Sequence, residues 1–309
     1  MFGSTVRTTD RSWPWAPPRA VVRALLSRGC HPLLLLSVGV VYAATVRYGW
    51  DTGRVTFTFT LAIICWLAVL ERLIPYERSW HPSAREWRWY GVYFVITTVG
   101  GTLGQSAVVV AAGALATDDP RLPLWAEMPL ALLLGSLAGY GVHRLSHTNR
   151  WLWRLHGVHH VPEKVNVANN GVNHIADVFI SQAVVQFPLA LVGFSERAVF
   201  GVGLFVVAQG YFVHANIDVR LGRLNHVLVG PEQHRLHHST VLTEAGHFGS
   251  DLSVWDRVFG SFTWRPGRAP VAVGLVDPGS FPATGAFLAT LVHPVHPVRR
   301  PTDTGGSPD

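Results

Sequence analysis

Four long apolar stretches in the first half of the chain constrain its fold more than any other feature. They cover about residues 32–50, 55–74, 89–116 and 123–142. A helix needs about 20 residues to cross the hydrocarbon core, so the third stretch is ample and the first two are near the limit. Glu127 and Pro129 interrupt the fourth, which we expect to begin in the membrane interface. The charged fraction of 14% lies below the roughly 25% of soluble domains, which also favours lipid surroundings.

A further apolar region spans about 175–215 and is broken near Gly193, Ser195 and Glu196. Histidine clusters flank it on both sides, so both flanks should lie on one side of the membrane. We therefore predict a helical hairpin rather than a single span. Two shallow crossings and a re-entrant hairpin are equally allowed.

The distribution of arginine predicts the orientation of the chain. Five arginines precede the first apolar stretch, and four lie from the end of the second stretch to the start of the third, at Arg72, Arg78, Arg85 and Arg88. Basic residues concentrate in cytosolic loops, so four crossings should return the chain to the cytosol near Gly141. We expect a multi-pass protein of a bacterial plasma membrane whose histidine-rich part faces the cytosol. The arginines form no stripe with interleaved aromatic residues, so nucleic-acid binding is not indicated.

Three short motifs hold eight of the sixteen histidines. HRLSH contains His143 and His147, HGVHH contains His156, His159 and His160, and HRLHH contains His234, His237 and His238. Residues three and four apart share a helix face, so each motif should aim its imidazoles in one direction. Imidazole binds borderline metals such as iron and zinc. Eight ligands exceed what one ion can take, which predicts two neighbouring ions that activate a small molecule between them.

Other metal proteins fit these motifs less well. A zinc peptidase of the H-E-x-x-H type needs glutamate after the first histidine, where Arg144 stands. A metal transporter should place its ligands near the bilayer midplane, whereas these motifs follow the predicted cytosolic ends of helices. Redox-active iron in an all-histidine shell fits best. A non-catalytic membrane metal-binding or metal-transport protein stays open as the alternative, although Gln105, Gln182, Gln186 and Gln209 form no obvious polar path.

The order of these motifs resembles the fatty acid hydroxylase and sterol desaturase superfamily from about Tyr140 to Phe262. HRLSHTNRWLWRLHGVHHVPE looks like the first block of that family, and NNGVNHIADV looks like a divergent copy of its N-G-R-F-H-P-x-D block. HANIDVRLGRLNHVLVGPEQHRLHHS and HFGSDLSVWDRVFGSF resemble its two later blocks. The predicted helices before Tyr140 resemble those of the family only in their apolar character.

The resemblance implies a di-iron oxygenase that uses O2 to hydroxylate, or desaturate, a C–H bond of a lipid or lipid-like substrate. It adds His214 to the eight clustered histidines as a ninth metal ligand. The sequence shows no fused cytochrome, flavin or ferredoxin motif, so electrons should come from a separate reductase, ferredoxin or cytochrome. The expected docking face for that protein is basic and includes Arg144, Arg150, Arg154, Arg235 and Arg257.

The chain departs from the family pattern around two histidines. Val172 stands where the family has arginine before His174, and Ile175 replaces the proline that follows. His247 and Phe248 replace the usual asparagine and tyrosine. These changes leave the substrate open among sterols, fatty acyl chains, ether lipids, carotenoids and lipidic natural products.

Several residues are expected beside the metals rather than on them. We predict roles in catalysis or in orienting ligands for His174, Asp177 and His247. Metal-bound histidines usually donate their second N–H to a carboxylate or carbonyl, so the candidate partners are Asp177, Asp218, Asp251 and Asp256. Histidines outside the motifs are interpreted as interfacial or loop residues, namely His31, His81, His293 and His296.

The predicted fold is all-α, an integral-membrane bundle of about four transmembrane helices plus a helical hairpin. A cytosolic, histidine-rich helical di-metal domain caps the bundle. The predicted divisions are a partly disordered cytosolic lead-in (1–30), the transmembrane helices (31–142), the di-iron catalytic domain with its hairpin (143–265) and a C-terminal extension (266–309). The tail of that extension is predicted to be disordered from Arg299.

Overall fold

Ten α-helices build the part of the chain that the computed structural model describes, residues 17–113 and 122–297. They are α1 (Pro17–Tyr48), α2 (Thr52–Leu73), α3 (Ala84–Gly113), α4 (Leu124–Thr148), α5 (Arg150–His156), α6 (Ile175–Val192), α7 (Glu196–His214), α8 (Pro231–His237), α9 (Val254–Val258) and α10 (Phe287–Val292). Within these ranges no β-strand occurs, and backbone pairing between extended segments is limited to isolated bridges. The predicted all-α class is confirmed.

Five helices are long and apolar enough to cross a membrane, namely α1, α2, α3, α6 and α7. In their most apolar windows, only 28%, 22%, 17% and 11% of the residues of α1, α2, α3 and α6 are buried. The corresponding share for α7 is 56%, which makes it the central helix. Apolar side chains that face outward from four helices require lipid around them, because water would not solvate so broad an apolar surface. The chain is therefore a multi-pass helical membrane protein.

Helix α1 begins much earlier than its apolar stretch. It starts at Pro17, so the segment interpreted as a lead-in is helical from that residue onward. Arg23 in this part reaches Asp218 beyond α7, with 2.6 Å between Nη2 and Oδ2. His31 lies inside α1 and is 3% exposed, with its Nε2 3.1 Å from Gln209 Oε1 on α7. The interpretation of His31 as an interfacial or loop residue was wrong. Contacts with α7 extend α1 beyond the stretch that hydropathy marks as apolar.

Two of the predicted segments cannot be followed in full. Residues 1–16 of the predicted lead-in lie outside the described residues. The same is true of the predicted disordered tail from Arg299.

The predicted hairpin is present. Helix α6 ends at Val192, and Gly193 adopts the left-handed conformation that glycine tolerates, with φ 76°. Ser195 then caps α7, with its side chain accepting a hydrogen bond from Ala198 N. The Glu127 carboxylate of α4 accepts hydrogen bonds from the backbone and side chain of Ser195, which fixes the turn against the start of α4.

Close packing of α3 on α6 positions the start of α6 beside the histidine motifs. A Cβ atom at Gly100 would lie 2.9 Å from Ile175 O, and one at Gly104 would lie 2.8 Å from Phe179 O. Only glycine permits this approach of the two backbones. Helices α1, α2 and α7 share a second apolar core that includes Leu34, Leu67 and Phe212. The two packed units bring the ends of α2, α4 and α7 and the start of α6 to one end of the bundle.

Candidate metal centre

A sharp reversal of the chain brings the first two histidine motifs face to face. His143 and His147 occupy the last two turns of α4, one turn apart on the same face. Asn149 ends α4 and caps α5, its side chain accepting from Trp151 N and Leu152 N. Helix α5 then carries His156 back towards α4, and the ring centroids of His147 and His156 are 4.9 Å apart.

The remaining ligand candidates come from three short elements. A 3-10 turn over Gly157–His160 presents His159 and His160 directly after α5. Helix α8 starts with a proline in its first turn and presents His234 and His237, with His238 as its C-cap. His214 is the last residue of α7.

All nine predicted ligands come together in two adjacent groups. The first group consists of His143, His147, His156, His160 and His237, and the second consists of His159, His214, His234 and His238. Within each group, one ring nitrogen of every member lies within 4.8 Å of those of all the others. The rings of His160 and His238 stack at 4.3 Å and join the two groups. Neither group contains a carboxylate or a thiol.

Hydrogen bonds to Nδ1 fix the orientation of four of these rings. Main-chain carbonyls lie close to the Nδ1 atoms of three histidines, at 2.6 Å for His143 with Phe248 O, 3.2 Å for His159 with Val172 O and 2.9 Å for His214 with Asn166 O. His156 Nδ1 lies 3.0 Å from Asp177 Oδ2. A carbonyl can only accept, so the Nδ1 atoms of His143, His159 and His214 carry the proton and their Nε2 atoms keep the lone pair. This is the tautomer that a metal needs.

The free ring nitrogens lack other partners. Among the described residues, the buried Nε2 atoms without a hydrogen-bond partner include those of His143, His147, His156, His160 and His214. Both ring nitrogens of His237 are also buried and unpaired. Such a concentration of unsatisfied buried polar atoms is costly unless something binds them. A pair of imidazole-preferring metal ions would satisfy them, so the residues fit the predicted metal centre.

Burial keeps the candidate ligands neutral. Removal from water lowers the pKa of His156, His159, His160, His234, His237 and His238 well below the ordinary value, and neighbouring imidazoles lower it further. Protonated imidazoles would repel one another and a cation. The neutral state at physiological pH is therefore the one that binds metal.

One of the four candidate aspartates contacts a ligand ring. Asp177 pairs with His156. Asp256 accepts from Phe248 N at 2.7 Å and Gly249 N at 2.8 Å, and so supports the segment whose carbonyl orients His143. Asp251 accepts from Ser136 Oγ at 2.7 Å, and Asp218 pairs with Arg23. Asp251 and Asp218 therefore have structural roles, because they contact other residues and not the imidazoles.

His174 and His247 lie outside both groups. His174 caps α6, its Nδ1 accepting from Ala176 N at 3.1 Å, and its Nε2 donates to Leu291 O at 3.2 Å. It therefore ties the C-terminal extension to α6. His247 is 1% exposed, and its Nε2 is 3.5 Å from Asp256 Oδ2. Its φ of 85° is a left-handed conformation, in which asparagine, aspartate and histidine are enriched among residues other than glycine.

Arg235 was wrongly placed on the docking face. It is 3% exposed, its guanidinium lies 3.8 Å from the centroid of the Tyr76 ring, and it donates to Ile217 O. Burial lowers its pKa to about 10. The spacing of residues within HRLHH does not predict the burial of Arg235, because its side chain points away from the histidines into a neighbouring loop.

The sequence motifs did not reveal the groups that accept hydrogen bonds from the Nδ1 atoms of the ligand rings, or the residue that supports them. The carbonyls of Phe248, Val172 and Asn166 belong to the main chain, so no side-chain pattern reveals them. Glu71 was also missed. It is 2% exposed and accepts from Val167 N at 2.7 Å and Asn216 N at 2.8 Å, one residue beyond Asn166 and two beyond His214. The available signal was an acidic residue inside the last turn of an apolar helix.

Comparison with known proteins gives a consistent result. The family model described as fatty acid hydroxylase matches residues 128–261, which include all nine histidines of the two groups. The ornithine lipid hydroxylase OlsE of Rhizobium tropici is 30% identical over 255 residues, which cover 78% of this chain and 75% of that protein. No solved structure matches the chain.

Alkylglycerol monooxygenases match over a shorter region. The protein of Danio rerio is 32% identical over 155 residues, or 49% of this chain and 34% of its own length. The protein of Homo sapiens is 29% identical over 142 residues, or 45% of this chain and 31% of its own length. The chain therefore spans about a third of the length of these relatives.

Proposed function

The chain belongs to the fatty acid hydroxylase superfamily, and from that membership we propose that it is a di-iron enzyme that hydroxylates a C–H bond of a membrane lipid. Like its relatives it is an oxygen-dependent oxidoreductase. The names of those relatives, hydroxylases and monooxygenases, favour hydroxylation over desaturation and favour an enzyme over a metal transporter. Gln209, considered earlier for a transport path, is instead paired with His31 and Val229 O.

The two histidine groups are the observation that carries the proposal. Each offers four or five converging imidazoles, the number that one ion can take with room for a small molecule. The first ion would be held by His143, His147, His156, His160 and His237, and the second by His159, His214, His234 and His238. Two bound iron ions would supply the oxidising chemistry with O2.

The protein's own residues orient and protect this centre. Asp177 and three main-chain carbonyls hold the rings in one tautomer, so the free nitrogens are preorganised. Trp153 and Phe248 pack against the ring of His147, with centroid distances of 5.2 Å and 5.4 Å, and keep water from that side. The lipid would enter from the bilayer, since the outward faces of α3 and α6 are apolar.

A separate electron donor is part of the proposal. The end of the bundle near the histidines exposes Arg150 and Arg257 and partly exposes Arg144 and Arg154. Basic residues of this kind attract an acidic redox partner and also mark the cytosolic side of a membrane. We place this end in the cytosol of a bacterial cell, where a reductase, ferredoxin or cytochrome could reach it.

Metal analysis combined with activity tests the proposal. The purified protein should hold about two irons per chain and convert lipid only with O2 and electrons. His159→Ala and His237→Ala, one from each group, should lose metal and product together. His296→Ala is the matched control, because His296 is exposed and outside both groups. Full activity in an iron-free preparation would refute the proposal.

A further inference from the structure

In the first histidine group, one peptide unit lies between a ligand ring and a buried carboxylate. The carbonyl of that unit is Phe248 O, which accepts from His143 Nδ1 at 2.6 Å. Its N–H belongs to Gly249 and donates to Asp256 Oδ2 at 2.8 Å. The opposite ring nitrogen, His143 Nε2, is buried without a hydrogen-bond partner. A hydrogen-bonded chain therefore runs from a carboxylate, through a single peptide unit, to a ring whose other nitrogen is free for a metal.

The second histidine group contains the same arrangement. His214 Nδ1 donates to Asn166 O at 2.9 Å, and His214 Nε2 is buried without a partner. The N–H of that peptide unit belongs to Val167 and donates to Glu71 Oε1 at 2.7 Å. Asp256 lies on α9 and Glu71 on α2, so two distant elements each place one carboxylate behind a different group.

His159 provides an internal comparison. Its Nδ1 lies 3.2 Å from Val172 O, the longest of the three contacts between ligand rings and carbonyls. The N–H of that peptide unit belongs to Asn173, and no carboxylate in the described part of the chain accepts from it. The two shorter contacts are thus the two that have a carboxylate behind the peptide unit.

A peptide unit can transmit the effect of a charge because resonance couples its N–H to its C=O. When the N–H donates to a carboxylate, electron density shifts towards the carbonyl oxygen, which becomes a stronger acceptor. A stronger acceptor at Nδ1 makes the imidazole more electron-rich and its Nε2 a more basic metal ligand. Asp256 is 0% exposed and Glu71 is 2% exposed, so water screens these carboxylates little.

The backbone around Asp256 is shaped for this contact. A Cβ atom at Gly249 would lie 2.7 Å from Asp256 Oδ2, so only glycine lets the peptide unit approach the carboxylate so closely. The other oxygen, Oδ1, accepts from Phe248 N at 2.7 Å and from Ser261 Oγ at 2.8 Å. The carboxylate is therefore fixed on both oxygens.

We propose that Asp256 and Glu71 are positioning residues that each raise the basicity of one metal ligand through the intervening peptide unit. Asp256 acts on His143 and Glu71 acts on His214. This inference rests on the proposed function and adds how its two ion sites are tuned. A more basic ligand stabilises the higher charge of an oxidised ion, so each carboxylate lowers the reduction potential of the ion held by its own group.

Nuclear magnetic resonance of the full-length, metal-free protein in detergent tests the peptide link without any reaction. With ¹⁵N-labelled histidine, the Nδ1–H protons of His143 and His214 should resonate far downfield, each assigned by its absence in the matching alanine variant. Glu71→Gln should move only the His214 proton upfield, and Asp256→Asn only the His143 proton. Glu71→Gln is the cleaner variant, because Oε1 alone accepts both backbone N–H groups and glutamine keeps that oxygen.

Two buried carboxylates outside these chains are the matched controls. Asp251 follows Gly249 in the same loop but accepts from Ser136 Oγ, and Glu244 lies near His238 but accepts from Ser239 and Arg268. Asp251→Asn and Glu244→Gln should leave both Nδ1–H resonances in place. An equal upfield movement in the controls would show an effect of charge through space and overturn the proposal.

Metal binding supplies the second measurement. Chelator competition on Glu71→Gln should show one of the two iron ions bound about tenfold or more weakly, with a raised reduction potential, while Glu244→Gln binds both like the wild type. If Asp256→Asn does not fold, Glu71→Gln decides alone. A His214 proton that does not move in Glu71→Gln would rule the peptide link out. Absence of bound iron in the wild type would instead refute the proposed function, and the metal-free resonances would still test the link.

Discussion

Glu71 is predicted to hold the second histidine group in place although it is not a ligand. Its Oε1 atom accepts hydrogen bonds from Val167 N and Asn216 N. The first amide follows Asn166, whose carbonyl orients His214, and the second lies two residues after His214. A single buried carboxylate on α2 thus fixes both backbone segments that position this ligand. Glu71→Ala should therefore damage one metal position more than the other.

The magnitude follows from two buried amides left without an acceptor. A buried hydrogen-bond donor without a partner costs about 1–3 kcal/mol, and Glu71→Ala would leave the amides of Val167 and Asn216 in that state. The free energy of unfolding should fall by roughly 2–6 kcal/mol. Glu71→Gln keeps an acceptor oxygen of the same shape, so its loss should be nearer to about 1 kcal/mol.

Detergent-induced unfolding and metal analysis measure the two effects. Unfolding in sodium dodecyl sulfate gives the change in stability, and iron per chain should drop from about two towards one in Glu71→Ala. The control is Glu77→Ala, because the Glu77 side chain accepts only exposed hydrogen bonds from Ser79. Retention of both irons with a stability loss below about 1 kcal/mol would refute the reasoning, as would equal loss of both irons.

Three further predictions concern the surroundings of the metals. Asp177→Asn removes the carboxylate that orients His156, so chelator competition should show metal affinity lowered by about tenfold or more, while unchanged affinity would contradict this role. His247→Asn should retain both irons, because His247 belongs to neither group and asparagine suits its φ of 85°; loss of one iron would identify His247 as a ligand. Gly157→Ala should cost about 1–3 kcal/mol through the clash with Phe281, and Gly157→Ala combined with Phe281→Leu should recover most of the melting temperature, whereas an unchanged single variant would contradict the packing.

The sequence predicted those features that local periodicity encodes. Spacing correctly placed the two histidines of HRLSH one turn apart on one face of α4. HGVHH and HRLHH instead divide their histidines between the two groups, and the reversal at Asn149 that brings the first two motifs together was not predicted. Gly193 and Ser195 predicted the turn of the hairpin, because left-handed glycine and a capping serine have local signatures. The helix bounds followed from hydropathy to within a few residues for α2 and for the start of α4.

Features that depend on distant contacts were not predictable. The start of α1 at Pro17 depends on packing against α7 and on the pairing of Arg23 with Asp218, neighbours that are 195 residues apart. The carbonyls that orient His143, His159 and His214 belong to the main chain and leave no trace in side-chain patterns. Phe281 of the C-terminal extension packs on Gly157 beside the HGVHH histidines, a contact between residues 124 positions apart that the sequence does not indicate. The spacing of residues in the sequence therefore predicts which side chains can bind metal, but it does not predict which groups orient those side chains.

Labelling with ¹⁸O2 tests the central claim most directly, when it is done on protein of known iron content. The lipid product should acquire one ¹⁸O atom, and the amount of product formed per protein chain should rise with iron content up to two irons per chain. Removal of iron with a chelator should abolish labelled product, and iron should restore it. Labelled product at full yield from iron-free protein, or a product oxygen that comes from water, would contradict the account.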